Sequence, residues 1–260
     1  MRRMLSVEEA GEAILHAARR MYERRYVAAH DGNLSARLSE DRLLATPTGM
    51  SKGFLSRSDL VVTDMKGRKV SGKREPTSEL LMHIRAYELR DDIGAVVHAH
   101  PPYATAFAVA GIPLVECVLP EVIVSIGSVP LAEYGTPSTG EVPRSIESVV
   151  TRSDALLLRN HGVMTVGDSV LSAYHKLETV EHFAEITFIA RHLGSVSSLG
   201  QEDIKKLAEV RAAAGAGGVY PGCEVTGMSK IPQGTDQAEL VKIIVEEVVK
   251  ILREGGNALD

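Results

Sequence analysis

Two histidines one residue apart close an apolar run in "AVVHAHPP", residues 95 to 102, and two prolines follow at once. A strand sends alternate side chains to opposite faces, so His98 and His100 project to the same side. Two imidazoles on one side of a strand end can chelate a single metal ion. A catalytic zinc ordinarily takes three protein ligands and keeps one position open. His161 is the candidate third: it sits in "LLLRNHGVMTVG", between two apolar strands, on a tight turn made with Asn160 and Gly162. An isolated H-x-H is more often structural or solvated than a ligand pair. A second strand-end histidine and a carboxylate just upstream, Glu79, shift the balance to a metal site.

Glu79 lies in "PTSELLMH", where the spacing predicts the first turn of a helix. There a carboxylate serves either as a favourable charge at the helix N-terminus or as a general acid/base beside a metal. Local sequence leaves both open. Small donors also recur: Asn33 and Ser35 in "GNLS", Thr48 and the Gly49 backbone in "TPTG", Thr77 and Ser78 in "PTSE". Hydroxyls, amides and a helix N-terminus together suit a phosphate, although each segment alone reads as a turn or a cap. His175 and His182, seven apart on a long helix, read as packing or surface residues. His16, His30, His83 and His192 show no partner pattern.

These residues must be held by a fold of ordinary globular composition: 260 residues, 44% hydrophobic and 24% charged. This suffices for one large domain or a domain with a helical extension. A net charge of −5, no Trp and no basic stripe argue against nucleic acid and anionic membrane surfaces as partners. The apolar runs are strand-sized, far short of a spanning helix. The N-terminal stretch reads as an amphipathic helix rather than a leader. Cys117 and Cys223 are far apart and outside any C-x-x-C pattern, which predicts buried or free thiols in a reducing cytoplasm.

Ser6 with Glu9 is a capping-box signal for a helix reaching about Arg25. "HDGNLS" is a turn. "LSARL", "LLAT", "DLVVTD" and "KGRKV" read as strands, the last two as a hairpin, with "TPTGMSKGFL" as a loop. A helix is expected from Pro76 or Thr77, then the histidine strand, then a helix entered through prolines. "VPLAEY" is a strand candidate and "EVPRSIESVVTR" a helix. "ALLLRN" and "GVMTVG" are strands, and a long helix stops at Gly194. Helical pieces follow around 201–214 and 235–254. Hairpin-like neighbours imply a partly antiparallel sheet with helices on its faces. No G-x-G-x-x-G follows the first strand and there is no P-loop, so a nucleotide-binding reading has no anchor.

"GNLSAR", "TPTG", "PTSE", "VVHAHPPYATAFA" and "LLLRNHG", in this order, resemble the class II aldolase/adducin family, over about residues 7 to 195. The zinc-dependent fuculose-phosphate aldolase type is its best-known enzyme branch. The resemblance implies a three-layer α/β/α fold with a central, mostly antiparallel sheet over residues 1–200. Residues 201–260 would be a helical extension packed on the same domain. It also implies a homotetramer with active sites at subunit interfaces. His98, His100 and His161 would be ligands of Zn²⁺ or another divalent ion, Glu79 the acid/base, and Asn33, Thr48, Gly49, Thr77 and Ser78 the cradle of a substrate phosphate. Thr77 stands where the family usually has a serine, and keeps the hydroxyl.

The implied reaction is cleavage of a ketose 1-phosphate, of the L-fuculose 1-phosphate or deoxypentulose phosphate kind, to dihydroxyacetone phosphate and an aldehyde. The metal would act as Lewis acid and Glu79 would move the proton. The family's neighbouring-subunit tyrosine has no counterpart in "LPEVIVSIG". Glu121, Tyr134 and Tyr220 are the substitutes nearest in role. Epimerase, dehydratase and decarboxylase activities use the same ligands, and adducin-like members use the fold as an interaction module without the metal.

Overall fold

The computed structural model describes residues 5–215 and 217–223. Its strands are β1 (Asn33–Arg37), β2 (Arg42–Ala45), β3 (Val61–Asp64), β4 (Lys69–Ser71), β5 (Ala95–Ala99), β6 (Leu131–Ala132), β7 (Ala155–Leu158) and β8 (Gly162–Gly167). They form one sheet in the order β4-β3-β2-β1-β5-β8-β7-β6. Every neighbouring pair is antiparallel except β6 and β7. The helices are α1 (Val7–Glu23), α2 (Leu80–Leu89), α3 (Pro102–Ala110), α4 (Pro120–Ser125), α5 (Glu141–Val150), α6 (Val170–Leu193) and α7 (Gln201–Ala213).

The period of two in the strands sorts their side chains into two cores. Leu34, Leu44, Val97, Leu157 and Val163 meet Ile14 and Met21 of α1, Phe107 of α3 and Phe183 of α6. Leu43, Val96, Leu156, Met164 and Val166 meet Met82, Ile84 and Tyr87 of α2 and Ile146 and Val149 of α5. The result is the expected α/β/α sandwich with a mostly antiparallel sheet. Parity puts His98 on the same face as Val96, toward α2. The α1 capping box forms as read: Glu9 N donates to Ser6 Oγ (3.1 Å) and Ser6 N to the Glu9 carboxylate (3.0 Å).

Two expectations need correction, and one element was not foreseen. α2 begins at Leu80, not at Pro76 or Thr77, and Glu79 is its N-cap. The cause is competition for backbone groups: Pro47 and Pro76 form an antiparallel bridge. Thr77 N donates to Thr46 O and Thr48 N to Glu75 O, both at 3.0 Å. An extended pairing therefore holds residues 75 to 77 out of the helix and brings "TPTG" beside "PTSE". The stretch "PEVIVS" is a helix, α4, entered with Pro120 in its first turn. Cys117 and Cys223 are joined in a disulfide, with Cα atoms 5.3 Å apart. Spacing in sequence cannot show that two distant cysteines meet in space. The thiol argument for a reducing compartment falls with it.

The sheet and helices described here fall within one compact unit, residues 1–225. α7 docks on α4, where the Arg211 guanidinium donates to the carbonyls of Val124 and Ser125. The helical stretch expected at 235–254 lies outside the described residues. No helix among the described residues is long and apolar enough to cross a membrane.

Candidate metal centre and active-site cleft

The two histidine segments meet because β5 pairs with β8, with His98 opposite Met164 and Ala99 opposite Val163. β8 begins one residue after His161. That turn needs its particular residues. Asn160 has φ +56°, a region non-glycine residues seldom visit except Asn and Asp. A Cβ on Gly162 would stand 2.5 Å from both Ala99 O and the His100 ring. The three imidazole centroids lie 4.7, 4.9 and 5.0 Å apart.

His98, His100 and His161 each offer a ligand atom, all within 4.8 Å of one another, near the roughly 3.3 Å that ligand nitrogens keep in a tetrahedral zinc site. His98 Nδ1 sits 2.8 Å from Val163 O. A carbonyl only accepts, so Nδ1 carries the proton and Nε2 presents its lone pair. This is the carbonyl partner that metal-binding histidines commonly have behind the ring. His98 Nε2 and His100 Nε2 face each other at 3.1 Å, and His100 Nδ1 is 3.5 Å from Asp31 Oδ2. Burial holds the His98 imidazole well below its ordinary value, with His161 and His100 adding to it against Glu79. Burial and His161 lower His100 in the same way. Both are therefore neutral near pH 7, the ligating form. The donor set fits a divalent metal.

Glu79 completes the cluster, with Oε1 3.2 Å from His161 Nε2 and Oε2 3.5 Å from His98 Nε2. Burial opposes its ionisation. The His98 and His161 rings and the Asn33 amide outweigh burial and hold the carboxyl below the usual carboxylate range. Glu79 Oε1 and His161 Nδ1 are buried without a hydrogen-bond partner among the described residues. Buried polar atoms of this kind have the capacity to bind a ligand.

Asn33, Thr48, Gly49, Thr77, Ser78, Glu79 and His100 all line one cleft of about 270 Å³. His98 and His161 lie behind its wall, against Glu79 and His100. A larger groove of about 770 Å³, lined by Arg24, Tyr103, Glu178 and Glu181 among others, contains none of the three histidines. Ser35, grouped with Asn33 on sequence, is not in the cleft. It is fully buried on β1 and turned to α2. Glu121, Tyr134 and Tyr220 are also absent from the cleft wall. Tyr220 packs instead beneath Arg211, 4.6 Å from ring centroid to guanidinium carbon.

Two residues escaped the sequence reading. His83, one of four histidines without a partner pattern, is fully buried on α2. Its Nε2 lies 2.6 Å from Asn33 Oδ1 and its Nδ1 2.8 Å from Ser35 Oγ. Asn33 Nδ2 in turn donates to Glu79 Oε2 at 2.8 Å. The Glu79–His83 spacing of one helical turn was the signal that could have found it. The other is Lys52, buried and on the cleft wall. His16, His30, His175, His182 and His192 are exposed.

The family described as "Class II Aldolase and Adducin N-terminal domain" matches residues 12–188. The chain belongs to this family. It is 35% identical over 175 residues to an L-fuculose phosphate aldolase of Methanococcus maripaludis, covering 67% of this chain and 94% of that protein. It is 32% identical over 181 residues to a 3-oxo-tetronate 4-phosphate decarboxylase of Haemophilus influenzae, covering 68% and 86%. Among solved structures, an L-fuculose 1-phosphate aldolase superposes with TM-score 0.73 at 32% identity, over 80% of this chain and 97% of that one. YgbL of Klebsiella pneumoniae, titled a putative aldolase/epimerase/decarboxylase, gives 0.71 at 29%, over 78% and 99%.

Proposed function

We propose that the chain is a zinc-dependent class II aldolase. Its substrate would be a ketose 1-phosphate of the L-fuculose 1-phosphate or deoxypentulose phosphate kind, cleaved to dihydroxyacetone phosphate and an aldehyde. The observation that carries this reading is the convergence of His98, His100, His161 and Glu79 at one end of β5, beside a cleft walled by small donors. The three histidines would hold the metal, which when bound supplies a Lewis acid for the substrate carbonyl. Glu79 is ionised and within reach of the cleft, so it is the group that takes and returns the proton at the carbon that becomes nucleophilic. Thr48, Gly49, Thr77 and Ser78 would receive the phosphate, with Asn33 at the junction of the phosphate and the acid/base. The protein would act as a homotetramer whose active sites lie at subunit interfaces. A neighbouring subunit would then supply the proton donor that this chain's own cleft wall does not.

A second reading keeps the site and changes the bond: decarboxylation of an oxo-acid phosphate. The decarboxylase relative at 32% identity favours it.

The test is metal content by mass spectrometry for the purified protein and a His98→Ala/His100→Ala variant, followed by an assay of dihydroxyacetone phosphate release from ketose 1-phosphates. About one zinc per chain, lost in the variant, with aldehyde release by the wild type, is expected. Zinc with carbon dioxide release from an oxo-acid phosphate instead selects the decarboxylase. No metal and no uptake of added zinc leaves the adducin-like interaction module.

A further inference from the structure

Lys52 is 2% exposed. Lysines are almost never buried this fully unless paired with a carboxylate, and burying an unpaired ammonium is costly. Among the described residues no carboxylate lies within ion-pair distance of it. Its Nζ donates to two neutral carbonyls, His30 O at 2.8 Å and Met50 O at 2.6 Å. An ammonium has three N–H bonds, so one is left without a protein partner. Lys52 lines the cleft together with Thr48, Gly49, Thr77 and Ser78.

The charges on that wall sharpen the point. Asp31 and Glu79 contribute two carboxylates, and Lys52 is the one Lys or Arg side chain among the lining residues. An anion entering there meets repulsion unless a cation anchors it away from Glu79. We propose that Lys52 is the residue that receives the substrate's phosphoryl group, donating its remaining N–H to a phosphate oxygen beside the hydroxyls of Thr77 and Ser78. This rests on the sugar-phosphate reading above and adds its missing counter-charge. The cleft would then be bipolar, with the metal and Glu79 at the reacting end and Lys52 at the phosphate end. The competing role is structural, since Lys52 also ties the chain at His30 to that at Met50.

Calorimetric titration with inorganic phosphate separates these, using the metal-loaded wild type, Lys52→Gln and the His98→Ala/His100→Ala variant. Gln keeps N–H donors and removes the charge. The wild type is expected to bind phosphate and the double histidine variant to bind it still. Lys52→Gln should bind about tenfold or more weakly, with its thermal midpoint in the absence of phosphate close to that of the wild type. Equal affinity in wild type and Lys52→Gln overturns the role of Lys52 and leaves the phosphate cleft standing. Loss of binding in the histidine variant places the phosphate on the metal and overturns the proposal as well. No binding by the wild type overturns the sugar-phosphate reading beneath it.

If Lys52→Gln does not fold, the wild type decides. Burial lowers Lys52 to about 8, against the pull of Asp31 and Glu79. Phosphate affinity should therefore fall as pH rises from about 8 to about 9.5, a window in which inorganic phosphate is already mostly dianionic and only Lys52 loses charge. The other charged or titratable groups on the wall, Asp31, Glu79, His30 and His100, are carboxylates and imidazoles, so Lys52 is its one amine. A flat profile overturns the assignment.

Discussion

A carboxylate can only accept hydrogen bonds, and this fixes the direction of everything behind Glu79. Asn33 must turn its amide nitrogen to Glu79 and its oxygen to His83. His83 must then carry its proton on Nε2, and its bare Nδ1 accepts from Ser35 Oγ. Tyr87 OH lies 2.9 Å from Ser35 Oγ and 3.0 Å from Ser35 O, and its single proton, shared between these two acceptors, closes the chain. His83 thus sets which end of Asn33 faces Glu79, and would be a positioning residue for the proposed acid/base. His83→Phe fills the ring volume but leaves Asn33 Oδ1 and Ser35 Oγ without their partner, at a cost of about 1–3 kcal/mol for an unsatisfied buried group. Its catalytic loss should be non-additive with Asn33→Ala, since both act on one hydrogen bond, and its metal content should match the wild type. The pH dependence carries a second signature. Burial, opposed by Glu79, lowers His83 to about 4, so between about pH 4 and 6.5 the unfolded chain binds a proton that the folded one does not. Stability from this residue is complete above about 6.5 and declines on acidification toward 4, by roughly 3 kcal/mol. His83→Phe should flatten that part of the stability profile, measured by urea midpoints across pH. The convergence of His98, His100 and His161 was legible in sequence because strand parity and a strand-end turn are local signals. The roles of His83 and Lys52 were not, because both depend on what β1 and the loop around residue 50 bring against them.

The elements were legible to the same extent. Strands and long helices carry their own periodicity, and β1, β2, β5, β7, β8, α1, α3, α5 and α6 stand close to where the pattern puts them. The start of α2 was misplaced because a bridge to a distant segment outbids a helical turn for the backbone of Thr77. That displacement shapes the cleft: it leaves Thr77 in the extended pairing and Ser78 in a turn on the cleft wall, with Glu79 at the helix mouth. The Cys117–Cys223 link was equally invisible, and it fastens the chain after α7 to the loop before α4, across 106 residues. Closing a loop of about 100 residues removes unfolded-state entropy worth up to about 4.7 kcal/mol at 25 °C. Reduction, or Cys117→Ser, should therefore lower the denaturant midpoint. The cleft, built from β1, α2 and β5, does not touch the bridge, so zinc content should be unchanged. Equal midpoints with and without reductant would show that the two thiols are not joined in solution. Mass spectrometry of the alkylated, unreduced protein reads the same question directly.

At the scale of the whole molecule the histidine cluster joins elements that are distant in sequence. His98 closes β5, His161 precedes β8 and Glu79 heads α2, so one ion would bind the centre of the sheet to the helical layer that covers it. In the unfolded chain the three histidines are scattered along the sequence and make no such site. A ligand that binds only the folded form stabilises it by about 2.7 kcal/mol at a hundredfold excess over its dissociation constant. For a protein of this size each 1 kcal/mol moves the melting temperature by about 2–4 °C. Adding zinc to the chelator-stripped protein should thus raise the melting temperature by roughly 5–11 °C, with a dependence on zinc concentration. His98→Ala/His100→Ala should melt at the same temperature with and without metal. This readout needs no substrate, so it separates two ideas that an activity assay confounds. A shift in the wild type without turnover of any ketose phosphate means that the metal centre is built and the reaction assigned to it is wrong. No shift at all means that three facing imidazoles and a carboxylate persist without a metal, as an interaction module would require.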